Sequence, residues 1–375
     1  MFAVLAAIGA TAAIWLVLFG GGEDATTSPD RLTGADLSSR ATEIVAGLQP
    51  ADKVDQVLLV GFEGTDQNAP LVSELADRAY GGILVGRANW SDPIQGSALV
   101  SALREGAASA PVAPLIVASQ EGGDYRSLAG LPPEQREIEI GDFADPGKAE
   151  KWSAETAEAL ADAGFNLNLG PIVDVATIDS PIADRAFSDD PRVAALMSAA
   201  AVRGCSLPAL TCAPGHFPGN GAASQNTIDG PATVALDEAT LQQRDLVPFE
   251  AVIQARAKAL VVSHSFYAAY DPVTPASLSS TVLVDLLRDE LGFEGVAISS
   301  DLEEGAITAG YKVPEAAVES IRAGADLLIV TAPDSQPKVA RALLDAVDSG
   351  AISEQRLDEA AGRVIDLKLD LGLVK

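Results

Sequence analysis

Both histidines of this chain follow short apolar runs that end in small or polar residues. His216 comes directly after Ala209–Gly215, and His264 lies within Ala259–Ser265. Imidazole can take up and release a proton near neutral pH, so either residue could serve a reaction. Either could also be a buried structural residue, and that alternative stays open. Because both histidines occupy the same place in a repeated pattern, we expect them to lie near one functional site.

Carboxylates occupy the same place after other apolar runs. Glu121 follows Pro114–Ser119, Asp174 follows Phe165–Gly170, and Asp301 closes the run that begins at residue 295. Carboxylates close to imidazoles are suited to general acid–base chemistry. We therefore take these three carboxylates as candidate catalytic residues.

Eight β-rich runs, most of them bounded by Gly, Pro or Asp, alternate with stretches of helical periodicity. Continuous apolar runs are typical of parallel strands that are covered on both faces. Eight such units predict an α/β fold, a (β/α)8 TIM-like barrel with its site at the carboxyl ends of the strands. A doubly wound open sheet is the alternative. The runs are Val57–Phe62, Gly82–Gly86, Pro114–Ser119, Phe165–Gly170, Ala209–Gly215, Ala259–Ser265, Gly295–Asp301 and Asp326–Ala332, and predicted helices include Lys148–Ala163, Leu241–Ala255, Ser280–Glu290 and Ser353–Leu371.

Composition excludes several classes of function. Of the 375 residues 48% are hydrophobic, and the formal net charge is −28. Nucleic acid needs clustered Lys and Arg, so we expect no nucleic-acid partner. The sequence has no Gly-rich phosphate loop and no His or Cys cluster with metal-ligand spacing, so we expect no cofactor and no metal. A Ser-His-Asp hydrolase is disfavoured because no nucleophile-elbow motif surrounds Ser263 or Ser300.

The first 19 residues predict a membrane segment. Met1–Phe19 carries no charge and, as a helix, would rise roughly 28 Å, close to the thickness of the hydrocarbon core. No A-x-A cleavage site follows, so we favour an uncleaved transmembrane helix over a signal peptide. The predicted organisation is an anchor or signal-like segment at 1–22, a linker at 23–34 and a barrel at 35–375. We expect the barrel to be membrane-anchored and extracytoplasmic.

Short motifs spread over residues 54–371 carry a family likeness. They are Gln56–Thr65, Gln120–Gly123, Pro171–Val175, Asp184–Pro191, His216–Gly219, Asp245–Phe249, Leu287–Asp301 and Gly305–Ile307. Together they resemble glycoside hydrolase family 3, specifically the single-barrel bacterial β-N-acetylhexosaminidases that act on N-acetylglucosamine in peptidoglycan. The resemblance implies a barrel that binds a β-linked N-acetylglucosamine residue of a cell-wall glycan.

The resemblance also assigns sugar-binding roles. Arg185, His216 and Asp174 stand at family positions, and Arg185 and His216 are implied to hold sugar hydroxyls. His264 matches a further family histidine, either structural or at the edge of the site. These four are the predicted substrate-binding residues. Arg185 could instead pair with Asp174 or Asp184 as a brace at the barrel mouth.

The chain departs from the family pattern where the chemistry is expected. Ser300 stands at the position of the family's nucleophilic aspartate, and Ile228 stands at the position of its acid/base histidine. Isoleucine cannot transfer a proton. A serine without a base is a poor nucleophile toward an acetal. The other substituted positions are Asn226 and Ser119 for aspartates, Gly215 for a lysine and Asn220 for a histidine.

Three hypotheses follow from these substitutions. The first is a glycan-binding protein that has lost ordinary hydrolysis. The second is an active glycosidase with relocated carboxylates, drawn from Asp301, Asp174 and Glu121 with Asp229 as a further possible acid. Retaining hydrolysis needs two carboxyl groups about 5–5.5 Å apart. Asp301 is disfavoured because successive strand side chains point to opposite sides, which sets it away from Ser300. The third is a structural or protein-binding barrel.

Two further features stay open. Cys205 and Cys212 could form a disulfide in an oxidising compartment, or remain as two buried thiols. Trp90, Tyr125 and Tyr311 follow predicted strands and could stack on a sugar ring or cover the barrel rim.

Overall fold

The computed structural model describes residues 37–375. The predicted membrane segment at 1–22 and the linker at 23–34 lie outside the described residues, and the division of the chain at these points stays a prediction. Within residues 37–375 no helix is both long and apolar enough to cross a membrane.

All eight predicted runs form strands of one parallel sheet. The order across the sheet is β5-β4-β3-β2-β1-β8-β7-β6. The strands are β1 Leu58–Val60, β2 Gly82–Leu84, β3 Leu115–Ala118, β4 Leu167–Ile172, β5 Thr211–Gly215, β6 Ala259–Val262, β7 Val296–Asp301 and β8 Leu327–Val330.

The two outermost strands, β5 and β6, meet just beyond β5. The backbone N–H of Phe217 donates to Val261 O (2.8 Å), and Ser263 N donates to Phe217 O (2.8 Å). These bonds bring the sheet round into a nearly closed barrel. The barrel prediction is thereby confirmed, and the open doubly wound sheet is wrong because its edges would lie apart.

Helices cover the outside of the sheet. Several begin at an aspartate followed by proline; Asp190, for example, accepts hydrogen bonds from Arg192 N and Val193 N. Such caps satisfy the first free N–H groups of a helix. The helices and single turns are Ser39–Gly47, Pro50–Gln56, Pro70–Glu74, Pro93–Gly106, Ala107–Ser109, Gly123–Tyr125, Glu137–Gly141, Pro146–Asp162, Ala183–Arg185, Pro191–Cys205, Glu238–Gln243, Leu246–Gln254, Ala276–Leu278, Thr281–Glu290, Gly305–Thr308, Val313–Ala323, Gln336–Asp348 and Glu354–Asp370.

One predicted helix is interrupted. The stretch Leu241–Ala255 belongs to two helices that separate at Arg244 and Asp245. The guanidinium of Arg244 turns to the carboxylate of Asp245 (3.2 Å) and donates to Val175 O (2.7 Å). The break between the two helices thus coincides with anchoring of the Arg244 side chain to the segment that follows β4.

Cys205 and Cys212 form a disulfide. It links the end of helix Pro191–Cys205 to β5, the strand that leads directly into the His216 segment. Of the two alternatives for this cysteine pair, the structure contains the disulfide.

A buried lysine lies at the end of the barrel opposite the predicted site. Lys368 is fully buried in the last helix, and its Nζ donates to Gln56 Oε1 (2.7 Å) and Tyr80 O (3.2 Å). No carboxylate among the described residues pairs with it. Burial lowers the pKa of Lys368 to about 7.

Because Lys368 is buried, the free energy of unfolding should depend on pH. Between about pH 7 and the unfolded-state pKa of about 10.4, the unfolded chain binds a proton at Lys368 that the folded chain does not. The free energy of unfolding should therefore rise with pH across this window, and Lys368→Met should flatten the rise. Urea unfolding at the two ends of the window measures the slope. Lys258→Met, which removes an exposed lysine paired with Asp370, is the control; equal slopes in both variants would contradict the prediction.

Candidate active site

A cavity of about 190 Å³ opens at the carboxyl ends of the strands. Parallel barrels place their sites at this end because side chains from many strands and loops converge there. Most of the residues singled out from the sequence line the cavity: Ser119, Glu121, Arg185, Gly215, His216, Asn220, Asn226, Ile228, Ser300 and Asp301. Asp174 and His264 do not line the cavity; both are fully buried and contact residues that do line it.

Asp174 holds the segment after β5 in place. Its carboxylate is fully buried and accepts from His216 N (3.2 Å), from Nδ1 of the His216 ring (3.0 Å) and from Asn220 N (2.5 Å). The Nδ1 bond fixes the tautomer of the imidazole. Nε2 is thus the remaining nitrogen of His216 for a ligand, and no described residue bonds to it.

Asn220 is the centre of a buried polar network. Its side-chain Oδ1 accepts hydrogen bonds from the hydroxyls of Ser263 (2.6 Å), Ser265 (2.8 Å) and Tyr267 (3.2 Å). The Tyr267 hydroxyl also donates to Gly219 O (2.9 Å), so it links Asn220 to the backbone of the same segment. The asparagine that replaces the family histidine is therefore integrated into the wall of the site.

Arg185 forms a two-point ion pair with Glu121. The Nε–Oε2 distance is 2.7 Å and the Nη2–Oε1 distance is 2.9 Å, and both side chains are largely buried. The guanidinium also lies 5.5 Å from the ring centre of Tyr125. The predicted brace exists, but its partner is Glu121; neither Asp174 nor Asp184 pairs with Arg185, and Asp184 pairs with Arg136 (3.0 Å).

A buried glutamate behind this pair was not predicted. Both oxygens of Glu137 accept from Ile172 N, at 2.9 and 3.1 Å. Burial raises the pKa of Glu137 well above its ordinary range, and the nearby charge of Glu121 raises it further. Glu137 follows no strand, so a search limited to strand ends cannot find it.

At the end of β7, side chains do not alternate strictly between the two sides of the strand as the sequence analysis expected. Pairing with β8 jumps from Ile298–Leu327 to Asp301–Ile329, so β7 contains one extra residue there. A bulge of this kind re-aims the following side chains. Ser300 and Asp301 consequently both line the cavity, and the prediction that Asp301 lies away from Ser300 is wrong.

Ser300 and Asp301 are engaged in different contacts. The Ser300 hydroxyl donates to Val262 O (3.0 Å). The Asp301 carboxylate accepts from the hydroxyl of Thr331 and from Glu303 N (3.2 Å). Burial raises the pKa of Asp301 to about 6, although its hydrogen bonds with Thr331 and Glu303 oppose that rise.

His264 is enclosed beneath Asp301. Its ring nitrogens contact Ser277 Oγ (2.6 Å) and Asp301 O (3.0 Å), and the residue is fully buried. Burial lowers the pKa of His264, which favours the neutral ring. The geometry thus matches the structural alternative; with both nitrogens occupied, His264 offers no donor to a sugar, and its predicted contact with substrate is corrected to a supporting role.

The loop after β5 folds back over the cavity. Asn226 Oδ1 accepts from Ile228 N (3.1 Å), which forms a tight turn. Gly305 N donates to Ile228 O (3.1 Å), and Ala306 N donates to Thr227 O (2.9 Å). These bonds fasten the loop to the segment after β7. The Ile228 side chain, 61% exposed, forms part of the mouth.

Glu304 is a second residue that the sequence reasoning missed. It lines the cavity four residues after Ser300, and its Oε2 is buried with no hydrogen-bond partner in the described part of the chain. The pair Glu303-Glu304 directly before Gly305–Ile307 was the available signal. Glu304 follows the end of β7 by three residues, so it falls outside the strand-end positions from which most candidates were taken.

The remaining candidates lie outside the cavity wall. Asp229 is an exposed loop residue. Trp90 is buried, packs on Phe165 and donates to Ala129 O (3.0 Å), and Tyr311 packs against the outer core. Of the three aromatics only Tyr125 lies beside a cavity residue. Across residues 37–375, no three His, Cys, Asp or Glu side chains are grouped so as to hold a metal ion.

Comparisons with known proteins agree on one family. The model of the glycosyl hydrolase family 3 N-terminal domain matches residues 51–367. The chain is 34% identical over 290 residues to a beta-hexosaminidase of Stenotrophomonas maltophilia (strain K279a), covering 74% of this chain and 84% of that protein.

Solved structures give the same result. The structure of a glycoside hydrolase family 3 beta-N-acetylglucosaminidase from Paenibacillus sp. str. FPU-7 superposes with a TM-score of 0.84 at 32% identity, over 87% of this chain. This chain spans only 63% of that longer chain. A family 3 glycosyl hydrolase from Mycobacterium smegmatis str. MC2 155 gives a TM-score of 0.79 at 29% identity, over 86% of this chain and 98% of that one.

Proposed function

This chain belongs to glycosyl hydrolase family 3, and from that premise we propose that it binds an N-acetylglucosamine-containing saccharide at the barrel mouth without hydrolysing it by the family's ordinary route. The relatives named beta-hexosaminidase and beta-N-acetylglucosaminidase support the class of sugar. Cell-wall glycan is the proposed source of that sugar.

The hydrogen bonding of Ser300 is the observation that supports this proposal most directly. The resemblance places the family's nucleophilic carboxylate here, and the hydroxyl in its place donates to the backbone oxygen of Val262 (3.0 Å). No described carboxylate or imidazole accepts the Ser300 proton, so nothing activates it as a nucleophile. At the position implied for the acid/base, Ile228 presents an exposed aliphatic side chain.

Binding groups persist around the same cavity. The Arg185 guanidinium is fixed by Glu121 and the His216 ring by Asp174, so both donors are held in one orientation. Rigid donors bind hydroxyl groups with little loss of side-chain entropy. The proposed sugar-binding side chains, Arg185 and His216, are therefore held in place. The positions implied for the nucleophile and the acid/base carry Ser300 and Ile228 instead.

We also propose that the barrel is anchored to a membrane and faces the outside of the cytoplasm. The apolar segment Met1–Phe19 and the disulfide between Cys205 and Cys212 support this location. Protease protection of the tagged chain in cells would test it: cleavage from the outer face supports it, and protection of the barrel by an intact membrane contradicts it.

Saccharide binding can be tested on the purified full-length chain. An N-acetylglucosamine trisaccharide at a hundredfold excess over Kd should raise the free energy of unfolding by about 2.7 kcal/mol. Arg185→Lys should weaken binding about tenfold, because an ammonium cannot reproduce the planar fork that Glu121 fixes. Arg136→Lys, outside the cavity, is the control. Absence of stabilisation by any such saccharide would leave the structural or protein-binding barrel as the better account.

One observation favours hydrolysis by relocated carboxylates as a second candidate. Asp301, with its pKa raised to about 6, and Glu304 both line the cavity, and Glu304 N donates to Asp301 O (2.9 Å). A carboxyl group whose pKa is raised by burial can act as a proton donor nearer neutral pH. This candidate requires turnover that is lost in Asp301→Asn or Glu304→Gln.

A further inference from the structure

We infer that the cavity binds a 6-deoxy amino sugar, whose C6 methyl group lies on an aliphatic surface provided by the barrel interior. The inference rests on the proposed saccharide-binding function and specifies the class of sugar that the same site takes.

The bottom of the cavity is the upper surface of the barrel interior. Five aliphatic side chains, each from a different strand, line the cavity and also belong to the buried cluster inside the barrel or pack against it. We call these five residues the aliphatic floor: Leu84, Leu169, Ala213, Val261 and Ile329. Leu84 and Leu169 are partly exposed. Because both lie inside the barrel, their exposed surface faces the cavity.

The aliphatic floor lies deeper than the polar side chains of the site. Side chains alternate along a strand, so Ala213 and Gly215 share one face of β5, and Ile329 lies on the same side as Thr331 just beyond β8. The carboxyl ends of the strands form the mouth, so the earlier residue of each pair is the deeper one. His216 follows the last residue of β5 and therefore lies nearer the mouth. A ligand thus meets polar groups first and aliphatic groups below them.

Gly215 leaves the aliphatic floor uncovered. A Cβ built at this position would lie 2.9 Å from Cβ of Val261, so any side chain here would cover that valine. Ser119 borders the floor beside β3, two residues beyond Val117 of the interior cluster. A ligand group directed toward β4, β5, β6 or β8 meets the aliphatic side chains instead.

The chemistry of this surface decides which sugar is preferred. A hydroxyl group pressed onto it loses its water without gaining a partner, which is costly, whereas a methyl group gains by leaving water. The cavity of about 190 Å³ is smaller than the roughly 300–1,000 Å³ of sites for drug-sized ligands, so we expect one sugar residue to enter it without a long substituent. Replacement of the exocyclic CH2OH of a hexose by CH3 makes the group that extends from the ring apolar.

The test compares two sugars that differ in one oxygen atom. Calorimetry on the full-length chain would measure Kd for the methyl β-glycosides of N-acetylglucosamine and of its 6-deoxy analogue. The wild type should bind the 6-deoxy sugar about tenfold more tightly. Val261→Thr, which is nearly isosteric and adds a hydroxyl to the floor, should reduce this preference to less than about threefold. Val117→Thr makes the same change in the interior cluster outside the cavity wall and should keep the preference.

The possible outcomes separate the inference from the proposed function. Equal affinities of the wild type for the two sugars, or tighter binding of the sugar with the 6-hydroxyl, overturn the inference and leave the proposed function standing. This comparison needs no variant, so it decides the matter even where Val261→Thr does not fold. A preference that survives in folded Val261→Thr, or is lost equally in Val117→Thr, overturns the role of the aliphatic floor. Failure of both sugars to bind contradicts the proposed function itself, and the inference with it.

Discussion

Replacement of Asp174 by asparagine is expected to weaken saccharide binding at least about tenfold and to destabilise the fold by roughly 3 kcal/mol. The buried carboxylate accepts three N–H groups, two from His216 and one from Asn220. A carboxamide has one oxygen, so its NH2 group would face at least one of these donors. Asp174 does not line the cavity; the loss of affinity would arise because the His216 ring is no longer held.

Calorimetric titration well below the melting temperature separates this effect from unfolding. Asp184→Asn is the matched control, since Asp184 is exposed and pairs with Arg136 rather than with a cavity residue. Unchanged affinity in Asp174→Asn, alongside a lowered melting temperature, would show that Asp174 supports the fold and does not position His216.

The second large effect is expected at the opposite end of the barrel. Asp326 is fully buried and pairs with Arg288 (2.6 Å), Arg356 (2.8 Å) and Arg363 (3.2 Å), and it also accepts from Ala297 N (3.0 Å). Burial alone would raise the pKa of Asp326, but the three guanidinium groups outweigh it and hold this pKa below its usual range.

Asp326→Asn should destabilise the protein by about 3–5 kcal/mol, because it removes the buried carboxylate that three guanidinium groups share. The contribution of the carboxylate is present above its unfolded-state pKa of about 3.9 and is lost as the pH falls through and below that value. Urea unfolding near neutral pH measures the change. Asp370→Asn, which breaks an exposed pair with Lys258, should cost less than about 1 kcal/mol; similar losses in both variants would refute the assignment.

The architecture was predictable because its signal is repeated. Buried parallel strands need continuous apolar runs, and most of the eight runs were marked by a Gly, Pro or Asp boundary. The pattern did not reveal that Leu241–Ala255 divides at Arg244. That break depends on a contact with Val175, 69 residues away, which local periodicity does not contain.

The candidate site was predictable in position but less so in detail. His216, Arg185 and Glu121 were found because strand-end residues converge at the mouth of a barrel. The bulge in β7 was not visible in the sequence, so alternation gave the wrong side for Asp301. Glu304 lies outside the strand ends and was missed for that reason.

The substituted site is proposed to bind the sugar without hydrolysing it by the family's ordinary route. The most direct measurement is the rate at which the full-length chain hydrolyses a chromogenic aryl N-acetyl-β-glucosaminide, beside a variant that carries Ser300→Asp, Asn226→Asp, Thr227→Ser and Ile228→His. We predict no turnover by the wild type above the solvent rate, and turnover in the variant. Wild-type turnover that disappears in Asp301→Asn or Glu304→Gln would contradict the claim and show that the chemistry has moved to those carboxylates.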